Sequence, residues 1–297
     1  MKKPGLFFAV IFFFFLQIQL DAQHTDAYHN SIHEWQLQRV AALLAPDGWV
    51  NLAGLFWLEP GKNSFGSDST NTLVFAHPQM PGNAGYFDKD NGVISWVSHT
   101  GVSVLAHDSL FQSGIIYAEG KTDRLLSLGN FRWNIIKRED KFGVRFRNLA
   151  SPALAAFKAI AYFPTDAKWR INAHLETGNA SSLLITNVLG QTTAVPSPGK
   201  LVFTIHQQVC SLDVIPAGDK LFIVFGDATS GKETYAAGRF IDVDMPDAKG
   251  NTIIDFNKAY NPPCAFTRFA TCPLPPKQNI LPLAVTAGEK DYQGYDH

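Results

Sequence analysis

Charge is scarce in this 297-residue chain: Asp, Glu, Lys and Arg together make up 17%, against 46% hydrophobic residues. That balance excludes intrinsic disorder, which requires low hydrophobicity and a high net charge. Cysteine is scarcer still, with three residues, too few for a disulfide-built scaffold. The formal net charge is −1, so nothing draws the protein to phosphate backbones or anionic lipid. Nucleic acid is therefore not an expected partner. The common hydrolase signals are missing as well. No G-x-S-x-G elbow occurs, and the nearest stretch, Gly61 to Gly66, has the wrong spacing. H-E-x-x-H is absent too, because Trp35-Gln36-Leu37 follows Glu34.

One long apolar run is present, Leu6 to Leu16, behind Met1, Lys2 and Lys3. A positive start, roughly a dozen apolar residues and a small residue at Ala22 fit a secretory signal peptide, residues 1–22. The run falls short of the roughly 20 residues that span a bilayer. No Cys follows it, which argues against a lipid anchor. The expectation is an exported protein, periplasmic or secreted, with no membrane span after cleavage. Loss of Lys2, Lys3 and Asp21 moves the formal charge from −1 to −2. In an oxidising compartment Cys264 and Cys272 could bridge, with Cys210 left over.

Residues 23–297 read as a single β-rich domain, with weak boundaries near 151 or 197. Ile32, Trp35, Arg39, Val40, Leu43 and Leu44 recur at spacings of three and four, predicting a helix that Pro46-Asp47-Gly48 stops. After it come short apolar runs between turn residues. Trp49–Leu58 reads as a strand, and Tyr86–Asp88 with Val93–Val97 as a hairpin across Asn91-Gly92. Phe131, Trp133 and Ile135 alternate with polar neighbours, and Val144 and Phe146 follow. Trp169, Ile171, Ala173 and Leu175 alternate with Arg170, Asn172, His174 and Glu176, giving one apolar and one wet face. Further strands are expected at Leu183–Val188, Leu201–His206, Val209–Ile215, Leu221–Phe225, Thr234–Val243 and Thr252–Phe256. The pattern predicts a mainly β fold, an antiparallel barrel or sandwich, with one N-terminal helix. Asn257 to Asn279 departs from it. Pro262, Pro263, Pro273, Pro275 and Pro276 exclude an ordinary strand or helix, while Tyr260, Phe266, Phe269 and Leu274 call for burial. A long Pro-rich C-terminal loop laid against the core is the expectation.

Several motifs have both a chemical and a structural reading. Gly226 to Lys232 has the spacing of a phosphate-binding loop, yet Glu233 stands where Ser or Thr should hold magnesium, and strand rather than helix follows. A hairpin turn is the simpler reading. His29 and His33 lie one helical turn apart and His24 precedes them. They could share a metal, but an exposed helix face explains them, and no metal site is expected. Cys264 or Cys272 could act as a thiolate beside His174 or His206, or simply pack as a disulfide or buried thiols. Around the Pro-rich segment lie Arg239, Asp255, Asn257, Tyr260, Asn261, Asn279 and Glu289. They could line a pocket or satisfy the segment's own backbone, and Asp255–Arg239 could be a structural ion pair.

The blocks GWVNLAGLFWLEPGKNSFGSD, KWRINAHLE, TSGKETYAAGRF, IIDFNKAYNPPCAFTRFATCPLPPKQNILP and AGEK resemble an uncharacterised bacterial family known only as a domain of unknown function. The resemblance spans roughly Trp35 to Lys290. It implies that Arg239, Asp255, Asn257, Tyr260, Asn261, Cys264, Thr267, Cys272, Asn279 and Glu289 occupy the family's motif. The chain departs at Lys258, Arg268 and Ile280, where Arg or Pro is expected; Lys258 keeps the charge and Ile280 loses one. The family brings no mechanism and no cofactor with it. The resulting expectation is an exported protein binding a small molecule in a pocket closed by residues 257–279, those ten residues being its candidate ligand-binding set. The alternative is a periplasmic enzyme, a hydrolase or metal-assisted, using Asp255, Glu289 or a cysteine with a His partner. An interaction module is the third class.

Overall fold

The computed structural model describes residues 26–178 and 182–294. The expected export segment, residues 1–22, and His24 lie outside them. A helix runs over residues 26–44 and stops in the turn at Pro46-Asp47-Gly48, where Gly48 N–H donates to Ala45 O at 2.8 Å. Ile32 and Leu43 are buried and Trp35, Arg39 and Val40 half-buried, the face its spacing predicts. A short α-helical turn, Pro152–Ala155, is capped by Ser151. Among the described residues no helix is long and apolar enough to cross a membrane.

Most of the remaining regular structure is strand, and the described residues form two compact units from interleaved stretches. One unit comprises, of the described residues, Leu43–Lys158, Phe266–Thr271 and Gly294. It holds two six-stranded sheets, antiparallel apart from the parallel pairing of Gly61–Gly66 with Leu73–Val74. Alternation sends Phe65, Phe87, Trp96, Trp133 and Phe146 into one core, each essentially excluded from solvent. Phe65 meets Phe146 edge-on at 5.4 Å, and Trp96 meets Trp133 at the same spacing, so rings of the two sheets interlock. Edge-to-face contact is the arrangement that ring quadrupoles favour. Strands Gly85–Asp90 and Val93–Ser98 pair with Asp90 opposite Val93, leaving Asn91-Gly92 as a two-residue turn. Both have positive φ, 47° and 80°, as that turn demands.

The other unit comprises, of the described residues, 26–42, 159–178, 182–265 and 272–293. Its four-stranded antiparallel sheet has the order Gln208–Asp213, Gly199–Ile205, Arg170–Thr177, Asn251–Asp255. A three-stranded sheet joins Ile215–Ala217, Lys220–Phe225 and Arg239–Asp244, and Ser182–Thr186 pairs with Thr192–Pro196. Leu201, Leu212, Leu221, Ile223, Ile241, Ile254 and Phe256 fill its core. The alternation in Arg170–Thr177 holds: Ala173 is buried, while Arg170, Asn172 and His174 are exposed.

Four expectations need correction. Among the described residues no sheet closes on itself, so these are open sheets and not a barrel. The strand expected at Thr234–Val243 begins at Arg239, because Thr234 turns inward to Thr229 and Gly238 adopts φ +85°. The Val209–Ile215 run divides into Gln208–Asp213 and Ile215–Ala217. Residues 257–279 are not plain loop either. They contain 3-10 turns at Pro263–Ala265 and Lys277–Asn279 and overlap a third at Phe256–Lys258. Single bridges join Tyr260 to Phe240 and Pro273 to Asn187.

Candidate ligand-binding site

The first polar cluster of this unit is sealed from water. Arg239 is 1% exposed, and its Nη2 donates to Asp227 Oδ2 at 2.8 Å and to Val285 O at 3.0 Å. Its Nη1 donates to the carbonyls of Ala287 and Glu289, while Nε finds no acceptor among the described residues. Burial pushes the guanidinium below its ordinary range, and Asp227 opposes that shift. The Arg239–Asp255 pair weighed from sequence does not form. Antiparallel register sets Arg239 opposite Phe225, so the nearest carboxylate is the one that opens the following turn. That turn is the phosphate-loop look-alike. Asp227 Oδ1 accepts from Thr229 N–H at 2.8 Å and its hydroxyl at 2.6 Å, which ties the turn to its own carboxylate.

Glu289, fully buried, lies in a second cluster. Gly288 presents it with φ +78°, and a Cβ at position 288 would stand 2.4 Å from Ala259 O, so only glycine fits there. Arg39 Nε donates to Oε1 at 3.0 Å, and Asn261 N–H donates to Oε2 at 2.7 Å. Arg39 also donates to Asn261 O and lies 4.6 Å over the Tyr260 ring. Burial raises the Glu289 carboxyl above its ordinary range despite Arg39. Tyr162, whose phenol is likewise raised by burial and then by Glu289, bridges it through the backbone.

Asp255 is half-buried, and both its oxygens accept from the Tyr28 hydroxyl, at 2.8 and 3.0 Å. Asn257 adds its backbone N–H and Nδ2 to Oδ1, at 3.1 Å each, and donates again to Tyr28 Oη and Asp166 O. Burial, then Asp255, drives the Tyr28 phenol up. Tyr260 behaves alike: its hydroxyl donates to Asp242 Oδ2 at 3.1 Å, and burial followed by Asp242 raises it.

Asp255 and Tyr260 border a cleft of about 620 Å³. Its floor includes the wet face of Arg170–Thr177, namely Arg170 and Asn172, with Asp242, Asp244 and Lys220 nearby; Trp35 of the helix and Lys258 complete the wall. Such a volume lies inside the roughly 300–1,000 Å³ of small-molecule sites. A second cavity of about 630 Å³ is bordered by Leu274–Gln278 together with Leu183, Leu184 and Asp213.

Of the ten residues singled out from sequence, two therefore border the first cleft. Asn279 pins strands together, Oδ1 accepting Asp213 N–H at 2.7 Å and Nδ2 donating to Asp213 O and Val224 O. Cys264 and Cys272 are buried thiols with no disulfide between them, and Cys264 N–H donates to Cys272 Sγ at 3.1 Å. Hydrogen bonding from Cys272 lowers the Cys264 thiol. Thr267 belongs to the unit with the aromatic core, where its hydroxyl accepts Phe269 N–H at 3.3 Å. Of the proposed histidine partners, His174 shares a hydrogen bond with Asn251 Oδ1 and His206 packs edge-on to Trp169. His29 and His33 are exposed. Among the described residues no three His, Cys, Asp or Glu side chains group to hold a metal ion. Sequence reasoning missed Asp227, Tyr28, Asp242, Arg170 and Lys258. Arg170 carried a signal in its place on the wet face, Lys258 in keeping the motif's charge and Asp227 in opening the Gly226–Lys232 turn; Tyr28 and Asp242 carried none.

No curated protein matches the chain. The solution structure of an uncharacterised protein from Haloarcula marismortui, gene locus rrnAC0354, is 29% identical with a TM-score of 0.39, covering 47% of this chain and 80% of its own. An FHA domain described for phosphothreonine-dependent interactions is 13% identical with a TM-score of 0.23, covering 31% of this chain and 92% of its own. At such scores neither bears on function. The matching family model begins well after the block at residues 48–68. Residues 155–290, which include Asp227, Arg239, Glu289 and the cleft floor, are similar to the family described as "Protein of unknown function (DUF1684)".

Proposed function

We propose that this protein is exported and binds a small polar molecule in the cleft lined by Trp35, Arg170, Asn172, Asp242, Asp255, Lys258 and Tyr260. The observation that carries the reading is the cleft itself: about 620 Å³, with two half-buried rings beside charges of both signs. Rings supply contact area and polar groups supply orientation, the usual division of labour in ligand sites. Residues 257–279 contribute Lys258 and Tyr260 to its wall. The enzyme alternative is weaker on chemical grounds, because Tyr28 and Asn257 take up the Asp255 oxygens and Glu289 is sealed behind Arg39 and Asn261.

A thermal-shift screen of small polar metabolites tests the binding. Hits should lose their stabilising effect in Trp35→Ala and Asn172→Ala; hits indifferent to both substitutions would place binding elsewhere and reject this cleft. Export is tested separately by mass spectrometry of the protein from its native cells, where the amino terminus should be Gln23.

A further inference from the structure

The cleft's charges are unevenly matched. Lys220 and Asp244 neutralise each other at 3.2 Å. Asp247 is committed to its turn, accepting the N–H groups of Lys249 and Asn251 at 2.8 Å each. Arg170 stands directly across the strand pair from Asp255, the natural partner for a guanidinium. That pair does not form; instead the Tyr28 hydroxyl lies within hydrogen-bond distance of both Asp255 oxygens, and Asn257 N–H donates to one of them. Among the described residues neither Arg170 nor Lys258 makes an ion pair within 4.0 Å. On the other side, the Asp242 carboxylate accepts one hydrogen bond among the described residues, from the Tyr260 hydroxyl at 3.1 Å.

Among the described residues the cleft therefore offers two cations without a carboxylate, Arg170 and Lys258, and three carboxylates without a cation, of which Asp242 has the fewest donors on its side chain; the half-buried rings of Trp35 and Tyr260 lie beside them. A guanidinium fork takes up a carboxylate or phosphate through paired N–H donors. An ammonium held by a carboxylate next to aromatic faces gains from both the charge and the ring quadrupole. An anion alone would face Asp242, Asp247 and Asp255 without compensation, and a cation alone would face Arg170 and Lys258.

Building on the cleft as the binding site, we infer that its ligand is a small zwitterion, an ammonium group seated at Asp242 and a carboxylate or phosphate group at Arg170 and Lys258. Tyr28 is then a positioning residue: by occupying Asp255, it keeps Arg170 available.

Isothermal titration of the purified protein tests this with free amino acids, glycylglycine and phosphoethanolamine, together with N-acetyl and amide counterparts and methyl glucoside as a neutral probe. The best zwitterion should bind at least about tenfold more tightly than either derivative lacking one charge, a difference of about 1.4 kcal/mol. Arg170→Gln should remove the preference for the free acid over the amide while keeping that for the free amine, and Asp242→Asn should do the reverse. Tyr28→Phe should weaken zwitterion binding although it removes no group that touches the ligand. If a neutral or singly charged probe binds as tightly and is lost in Trp35→Ala, the zwitterion assignment is overturned while the cleft stands. If no zwitterion binds while metabolites from the thermal-shift screen still depend on Trp35, the assignment is overturned again. Hits that ignore Trp35 and Asn172 would instead remove the cleft reading beneath it.

Discussion

Two cation–carboxylate pairs sit within one unit, at similar lengths and in opposite surroundings. Arg239 and Asp227 meet at 2.8 Å with both side chains fully buried. Lys220 and Asp244 meet at 3.2 Å with 47% and 86% of their side chains exposed. Distance hardly separates them; water does. A buried charge that loses its partner has no solvent to fall back on, whereas an exposed one is hydrated at once. The same contrast sorts the functional candidates. Arg239, Glu289, Asn261 and Asn279 are spent on holding segments together, while Arg170, Lys258 and Asp242 stand where a ligand can reach them.

The comparison can be broken most sharply at Arg239. Arg239→Met leaves Asp227 without its counter-charge and three backbone carbonyls without their donor in the core, and should cost about 3–5 kcal/mol of unfolding free energy. Urea denaturation measures it, and a loss near zero would mean that the buried pair is as dispensable as the surface one. Asn279→Ala is next. It strands the Asp213 N–H and the Asp213 and Val224 carbonyls, at a cost of about 1–3 kcal/mol in the same titration.

Glu289 sharpens the contrast through pH. Burial raises its carboxyl in the folded protein above its unfolded value. A group raised on folding supports the fold fully below its unfolded pKa, and that support is lost as pH rises through the folded value. Stability measured from about pH 4 upward, near the ordinary Glu value, should therefore contain a declining component that Glu289→Gln removes. An unchanged pH profile in that variant would show Arg39 fully compensating the buried charge. The smallest effect is expected at the surface: Lys220→Met should change stability by about 0–1 kcal/mol, and less at high salt. A chemical denaturation curve at two ionic strengths distinguishes this from a structural role.

The sequence made some of this legible for definite reasons. The helix face of Ile32 and Leu43, the Asn91-Gly92 hairpin and the wet face of Arg170, Asn172 and His174 are local patterns, set by periodicities of 3.6 and 2. The turn at Gly226–Lys232 was legible too, since Glu233 and the absence of a helix denied it a phosphate role. The corrections came where contacts are distant. Arg239 could be assigned to Asp255 from sequence because both are near the Pro-rich segment; strand register chose Asp227 instead. Tyr28 gave no sign of its role, lying 227 residues from Asp255. The blocks around Asn257 to Asn279 marked residues that matter, without saying whether they matter to a ligand or to the fold.

Composition and alternation alone determined that this chain is a mainly β protein with one sizeable helix at its N-terminal side, because burying apolar faces is a local demand written every second or fourth residue. Which polar groups end up dry and paired, and which line an open cleft, was decided only in three dimensions. Hydration depends on what packs against a group from far along the chain, and spacing in sequence carries no record of that.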